Sequence, residues 1–229
     1  RNQCNKITFS STMDAIPSDV DLVLVQIPKA NRHLIWQLDQ LRQSLKPSVK
    51  VIAVNKAKEI HSSTLKLFEK HLGETTTSLA WKKHRLVFAH ANSQHATMVE
   101  AFTGWNVDGH DFSLKNLPNV YSGEKLDLGA RLMLEHLPSE LGDKHIIDLG
   151  CGNGVLSVKL GLQNPQAKLT CVDESFMAVE SAKQNLLDNL GSERKIDCVA
   201  NNCLNGFEAN CADLVVCNPP FHQQQAITD

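Results

Sequence analysis

A chain of 229 residues with 42% hydrophobic and 21% charged side chains is long enough for one large α/β domain or two smaller ones, and its composition excludes a disordered or fibrous polymer. The longest apolar runs, such as Leu22 to Val25 and Leu214 to Cys217, are strand-length, far short of the roughly 20 residues that cross a bilayer, so no membrane partner is expected. The formal net charge of −2 hides an asymmetry: residues 1–120 carry 15 Lys+Arg against 10 Asp+Glu, and residues 121–229 carry 8 against 15, which concentrates any attraction for a polyanion in the first half.

The chain opens Arg1-Asn2-Gln3, with neither Met nor a leader, as expected of a fragment. Leu22 to Val25 then reads as a buried strand, followed by a helix with Leu34, Leu38, Leu41 and Leu45 on one face, ended by Pro47. Val49 to Val54 is the next strand. Ser62 or Ser63 is expected to cap a helix carrying Leu65, Phe68 and Leu72, with Gly73 as its stop and a strand at Leu86 to Ala89 beyond it. Residues 91–100 are small and polar and suit a linker, and Trp105 to Phe112 alternates around Asp108-Gly109, a hairpin signal.

In the second half, Ser122 is expected to cap a helix carrying Leu126, Leu132, Leu134 and Leu137, with Pro138 just past it. His145 to Asp148 reads as a strand entering a glycine-rich loop, and Val155 to Gln163 as the helix that follows. Lys168 to Val172 is another strand, and Ser175 is expected to cap a helix with Val179, Ala182, Leu186 and Leu190 as its buried stripe before Gly191. Ile196 to Val199 and Leu214 to Val216 supply two more strands, so the alternation predicts α/β layering around a mainly parallel sheet. Asp21 to Ala30 lines up with Asp213 to His222, each preceded by a Lys-Ile strand at Lys6-Ile7 and Lys195-Ile196, which points to a duplicated domain. Domains are placed at 1–100 and 101–229.

The chemistry is concentrated after residue 145. Asp148-Leu149-Gly150-Cys151-Gly152-Asn153-Gly154 is a strand-to-helix turn in which the glycines let the backbone approach a ligand, the helix start offers N–H groups to an anion, and Asp148 can bind an ammonium. Asp173, 23 residues after Gly150, is placed for ribose hydroxyls, and Asn202 for adenine. These are the needs of S-adenosylmethionine (SAM), with a dinucleotide as the competing ligand because glycine-rich turns of this kind hold both. At the end of the last strand, Asn218-Pro219-Pro220-Phe221 offers the Asn218 side-chain oxygen and the Pro219 carbonyl to a planar amino group, with Phe221 to stack on its plane. A strand-ending turn with a core Phe is the plainer alternative. Seven cysteines without a Cys-x-x-Cys pair suggest reduced thiols, buried packing and a cytoplasmic protein without a metal; a site built from Cys198, Cys203, Cys211, Cys217 and His222 is the alternative.

These motifs resemble those of class I SAM methyltransferases that act on exocyclic or amide nitrogens. The run from Cys217 to Asp229, the Asp173-Glu174-Ser175 turn and Leu79-Ala80-Trp81-Lys82-Lys83 are similar to the RlmG/RsmC family of ribosomal RNA guanine-N(2)-methyltransferases. The resemblance implies a Rossmann-like sheet in tandem duplicated domains, the first degenerate, with both truncated in this chain. It implies that Asp148, Gly150, Cys151, Gly152, Asn153, Gly154, Asp173, Glu174 and Asn202 hold SAM. Asn218 and Pro219 would orient the 2-amino group of a flipped guanine, with Pro220 and Phe221 completing the loop. The substrate would be naked large-subunit ribosomal RNA, contacted in the first domain by Lys82, Lys83 and Arg85. Three alternatives remain: a small-subunit RNA guanine, a glutamine amide or adenine amino group, and a non-catalytic RNA-binding module. The Lys82-Lys83-His84-Arg85 run also reads as a solvated edge.

Overall fold

Hydrophobic periodicity sets the elements in both halves of the chain. The computed structural model describes residues 7–91, 99–123 and 125–219, and the chain divides into two units, Arg1–Ala101 and Phe102–Asp229. No helix among the described residues is long and apolar enough to cross a membrane.

The first unit contains β1 (Leu22–Gln26), α1 (Asn31–Ser44), β2 (Lys50–Lys56), α2 (Ser62–His71), β3 (Thr75–Thr77) and β4 (His84–His90). Its sheet runs β1-β2-β4-β3. Leu34, Leu38 and Leu41 of α1 and Phe68 of α2 bury their side chains with Val51 and Ala53 of β2 and Val87 and Ala89 of β4. Asp39, buried on α1, takes the His71 ring of α2 at 3.1 Å and accepts the Val99 N–H at 3.2 Å, fastening the segment that leaves this unit. The expectation of mainly parallel strands fails here: only β1 and β2 are parallel, because the chain returns from α2 through β3 and a tight hairpin, so β4 runs antiparallel to both its neighbours. The Ser62 or Ser63 cap also fails. His61 holds the capping position of α2 and makes no side-chain capping bond.

The second unit contains β5 (Thr103–Asn106), β6 (Ser113–Asn116), α3 (Leu128–His136), β7 (His145–Leu149), α4 (Val155–Gln163), β8 (Lys168–Asp173), α5 (Phe176–Leu190), β9 (Ile196–Ala200) and β10 (Leu214–Cys217). Its main sheet runs β10-β7-β8-β9, with every pair parallel. Successive strands move from β7 to β9 on one side, and β10 returns to the other side of β7, so a crevice opens between the carboxyl ends of β7 and β10. Buried Leu156, Val158 and Leu160 of α4 and Ala182 and Leu186 of α5 pack with Ile146, Leu169 and Cys171 of the strands. Ser175 caps α5 through a bond from Ala178 N, as its sequence predicts. Ser122 does not cap α3: Asp127 does, its carboxylate accepting the Ala130 N–H at 3.0 Å, while Ser122 lies five residues earlier in a left-handed turn at φ 53°.

The β5–β6 hairpin docks on α5 through buried amides and hydroxyls. Asn185 Oδ1 accepts the Lys115 N–H at 2.7 Å, Asn185 Nδ2 donates to the carbonyls of Lys115 and Asn153, and Ser181 Oγ accepts the Leu117 N–H at 3.1 Å. Asn185 thus holds the hairpin and the glycine-rich loop with one side chain. Leu186, its fully buried neighbour, carries the apolar part of the same contact. Leu186→Ala is expected to cost about 2–5 kcal/mol, the usual range for emptying a buried leucine site. Urea unfolding that shows less than about 1 kcal/mol of loss would mean that α5 does not seal this core.

Candidate functional site

The rim formed by the carboxyl ends of β7, β8 and β10 gathers the motif residues. Gly154 closes the loop after β7 at φ 77°, and a Cβ there would stand 3.0 Å from the Ala182 Cβ, so loop and α5 approach too closely for any larger residue. Three N–H groups of this loop, ahead of the helix start, are turned into the protein. Gly150 N and Cys151 N both donate to the Val172 carbonyl, at 2.8 and 3.1 Å, and Gly152 N donates to Asp173 Oδ2 at 2.9 Å. The loop closes on β8, and its contribution at these positions is shape. Asn153 is buried, and its Oδ1 accepts the Val155 N–H at 3.2 Å, supporting the start of α4.

Two carboxylates take different roles from different surroundings. Asp173 lies at the rim with Gly152 N on one oxygen and Ser175 N on the other. Asp148 is 1% exposed; Oδ2 accepts a 2.8 Å bond from Ser157, but Oδ1 is enclosed with no partner among the described residues. Burial pushes the Asp148 carboxyl up to about 6, and the nearby negative charge of Asp173 adds to the rise while the Ser157 bonds oppose it.

A cleft of about 420 Å³ runs over the rim, lined by Asp173, Glu174, Asn202, Gly150, Gly152, Asn218 and Pro219 among others. A smaller cavity of about 60 Å³ shares Gly150, Gly152 and Asn218 with it and reaches Asp148, Cys151 and Asn153. The structure therefore brings together the described loop, carboxylate and Asn218 positions. Pro220, Phe221 and His222 lie outside the described residues.

Three contributors escaped the sequence reading. Asp127 Oδ2 accepts the Asn218 Nδ2 hydrogen bond at 2.7 Å while capping α3. Burial pushes the Asp127 carboxyl up, but the bonds from Asn218 and from the Ala130, Gly129 and Leu128 backbone outweigh it and hold the group below its ordinary range. Gly129 packs so tightly on Asn218 Oδ1 that a Cβ there would collide with it. Trp105, half-buried, lines the smaller cavity, and its indole Nε1 is enclosed without a partner among the described residues. The available signal for Asp127 was its spacing, three residues before Ala130 at the head of an apolar stripe.

In the first unit, Lys82 and Lys83 form the two-residue tip of a hairpin closed by Trp81 N to His84 O at 2.8 Å and His84 N to Trp81 O at 2.9 Å. Both lysines have positive φ, 46° and 66°, a conformation that costs a non-glycine residue about 1–2 kcal/mol. Lys82 Nζ stands 4.6 Å from the centre of the Trp81 ring. Arg85 is placed differently: it is half-buried on β4 opposite Asn55, with its Nε enclosed, so it does not join the exposed tip. Among the described residues, no group of three or more His, Cys, Asp or Glu side chains is placed to hold a metal ion.

The family model for the methyltransferase small domain matches residues 111–229, the span that holds the whole rim, and the model for the RLMG N-terminal domain matches residues 1–93. The chain belongs to the methyltransferase small domain family. Ribosomal RNA large subunit methyltransferase G of Vibrio campbellii is 70% identical over 228 residues, covering 100% of this chain and 59% of that protein. The protein of the same name from Vibrio parahaemolyticus is 69% identical with the same coverage. The chain thus spans about three fifths of the length of these curated relatives. Among solved structures, the T. thermophilus 16S rRNA N2 methyltransferase RsmC, in complex with AdoMet and guanosine, matches with a TM-score of 0.77 at 20% identity, over 91% of this chain and 58% of that one. The fold is that of the class I methyltransferases.

Asp148 and Trp105 both line the smaller cavity, and Asp148 Oδ1, an acceptor, and Trp105 Nε1, a donor, are enclosed without a hydrogen-bond partner among the described residues. Because the Asp148 carboxyl titrates near 6 in the folded chain against 3.8 ordinarily, the folded state keeps its proton over that window. The stability this neutral form contributes is complete below the lower value and lost as pH rises through the upper one, about 3 kcal/mol for a shift of roughly two pH units. Asp148→Asn should then be more stable than the parent at pH 7, by up to that amount, with a flatter stability curve between about pH 4 and 6. Denaturant melts in which the variant is the less stable at pH 7 would show that the carboxylate is favourably held instead.

Proposed function

We propose that this chain transfers a methyl group from SAM to the exocyclic 2-amino group of a guanine in large-subunit ribosomal RNA, acting in the cytoplasm on RNA free of ribosomal protein. The observation that carries the reading is the Asp127–Asn218 pair at the end of β10. With Nδ2 committed to Asp127, the Asn218 amide has its oxygen fixed as an acceptor, and it shares one cleft with Asp173 and the glycine-rich loop. The methyltransferase small domain match and the names of the highly identical relatives support the same reading.

SAM supplies an electrophilic methyl group on a sulfonium. Asp148 and Trp105 would hold its amino-acid end, Asp173 and Glu174 the ribose hydroxyls, and Asn202 the adenine edge. The Asn218 oxygen and the Pro219 carbonyl would accept the two N–H bonds of the guanine amine, which would aim the nitrogen lone pair out of the ring plane; Pro220 and Phe221, which follow in sequence and lie outside the described residues, are assigned to the base. Bound SAM would supply the methyl carbon to that lone pair, the C–S bonding pair leaving with the sulfur, and the amine would release a proton to solvent. No acid or base is required beyond these acceptors, so catalysis is positioning and exclusion of water. Extruding a paired guanine costs a few kcal/mol, which favours loosely folded RNA. The first unit acts as a degenerate methyltransferase-like RNA-binding domain: its Asp21 to Ala30 segment forms edge strand β1, as the aligned Asp213 segment forms edge strand β10, but it carries Gln26-Ile27-Pro28-Lys29 in place of the catalytic turn.

The test is transfer of labelled methyl groups to naked large-subunit RNA, naked small-subunit RNA and assembled subunits, with the V. campbellii relative as positive control. Label in 2-methylguanosine of naked large-subunit RNA is expected, falling at least about 100-fold in Asn218→Ala, the scale of losing a preorganised polar contact to the reacting group. Label confined to small-subunit RNA or to protein glutamine would overturn the substrate. An unaffected Asn218→Ala would overturn the role of the turn.

A further inference from the structure

The hairpin tip of the first unit is built at a cost and displays an unusual set of side chains. Two-residue turns with positive φ at both positions favour Asn-Gly or Gly-Gly, yet here they hold Lys82 and Lys83. The turn is pinned from outside the hairpin as well, by Ala57 N donating to the Lys83 carbonyl at 2.8 Å. Trp81 at the hairpin neck is 73% exposed and Leu79 is 92% exposed, although both are large apolar side chains. Lys56 lies directly across the ladder from His84, and Lys56, Lys58, Lys82, Lys83 and His84 are all exposed. An indole held in water among cations, on a strained and pinned turn, matches the parts of a single-strand nucleic-acid platform, where a base stacks on an aromatic plane and cations track the phosphates.

We infer that Trp81 is a stacking platform for an unpaired base of RNA, with Lys82 and Lys83 on the flanking phosphates. This rests on the ribosomal RNA reading and adds to it a defined contact far in sequence from the methyl-transfer cleft. Lys82 Nζ stands over the ring at 4.6 Å from its centre, and the indole remains 73% exposed, which leaves surface open to a base. A duplex presents no free base face, so the platform selects single-stranded or looped RNA.

Binding of the chain to a fluorescent single-stranded RNA oligonucleotide and to the same sequence as a duplex, over a salt series, separates the contributions. Trp81→Ala is expected to weaken single-strand binding about 5- to 100-fold, the effect of losing one stacked base, with the salt slope unchanged, and Trp81→Phe to recover most of it. Lys82→Ala with Lys83→Ala is expected to flatten the salt slope by about 0.7 for each phosphate lost. Duplex affinity should hardly respond to Trp81→Ala. If the parent binds RNA and Trp81→Ala binds it equally well, or loses affinity only through a changed salt slope, the stacking inference fails and the substrate reading stands. If the parent binds no RNA at low salt, both fail together.

Discussion

Three backbone N–H groups, those of Gly150, Cys151 and Gly152, converge on the end of β8, two on the Val172 carbonyl and one on the Asp173 carboxylate. Without that clamp the turn after β7 would be a mobile glycine-rich loop; with it, the loop is an extension of the sheet. The clamp fixes where α4 begins, and so where Ser157 meets Asp148. It also spends donors that a phosphate-binding loop of similar sequence would leave for its ligand. A loop with its amides turned into the protein favours a ligand recognised by side-chain carboxylates and by fit, which suits a positively charged donor better than a pyrophosphate.

The same arrangement explains why an ionisable group is left in an unfavourable place. Asp148 is enclosed by the strands on either side and by α4, has one oxygen bonded and one orphaned, and is pushed up to about 6. A buried asparagine or leucine would fold more comfortably. Such a cost persists where a bound group removes it, and a ligand ammonium would do so by pairing the orphaned oxygen. Asp127 shows the opposite case: hydrogen bonds from its helix cap and from Asn218 keep it charged, so it holds the amide without titrating near neutrality.

Local chemistry was legible in the sequence and long-range pairing was not. The glycine-rich turn, Asp173 and the Asn218-Pro219 turn announce themselves because each places unusual residue types at a strand end, and the Ser175 cap and the buried leucine stripe of α1 follow from nearest-neighbour rules, whereas Leu132 of α3 and Leu22 and Leu24 of edge strand β1 are exposed. Asp127 was overlooked because its partner lies 91 residues away and a serine upstream offered an equally good local cap. Trp105 looked like a hairpin residue, since alternation cannot reveal that it also lines a cavity. The antiparallel turn of the first sheet was missed for a related reason: Thr75–Thr77 is short and polar, and only pairing with β4 makes it a strand. Arg85 read as one of three equivalent cations, although strand alternation turns it away from the tip that carries Lys82 and Lys83.

Charge then divides the labour between the two units. Asp127, Asp148, Asp173 and Glu174 surround the rim, which favours a cationic donor and repels a phosphate backbone. On the proposed reading only a base, uncharged at neutral pH, enters that cleft, and the strand that carries it is held elsewhere. The second half of the chain, with nearly twice as many acidic as basic residues, is poorly suited to hold it. The first half has the opposite balance and places two of its lysines on a strained turn beside an exposed indole. On the same reading, a positive methyl donor and a polyanionic substrate would make contradictory electrostatic demands on a single surface, and separating them between two folded units would meet both.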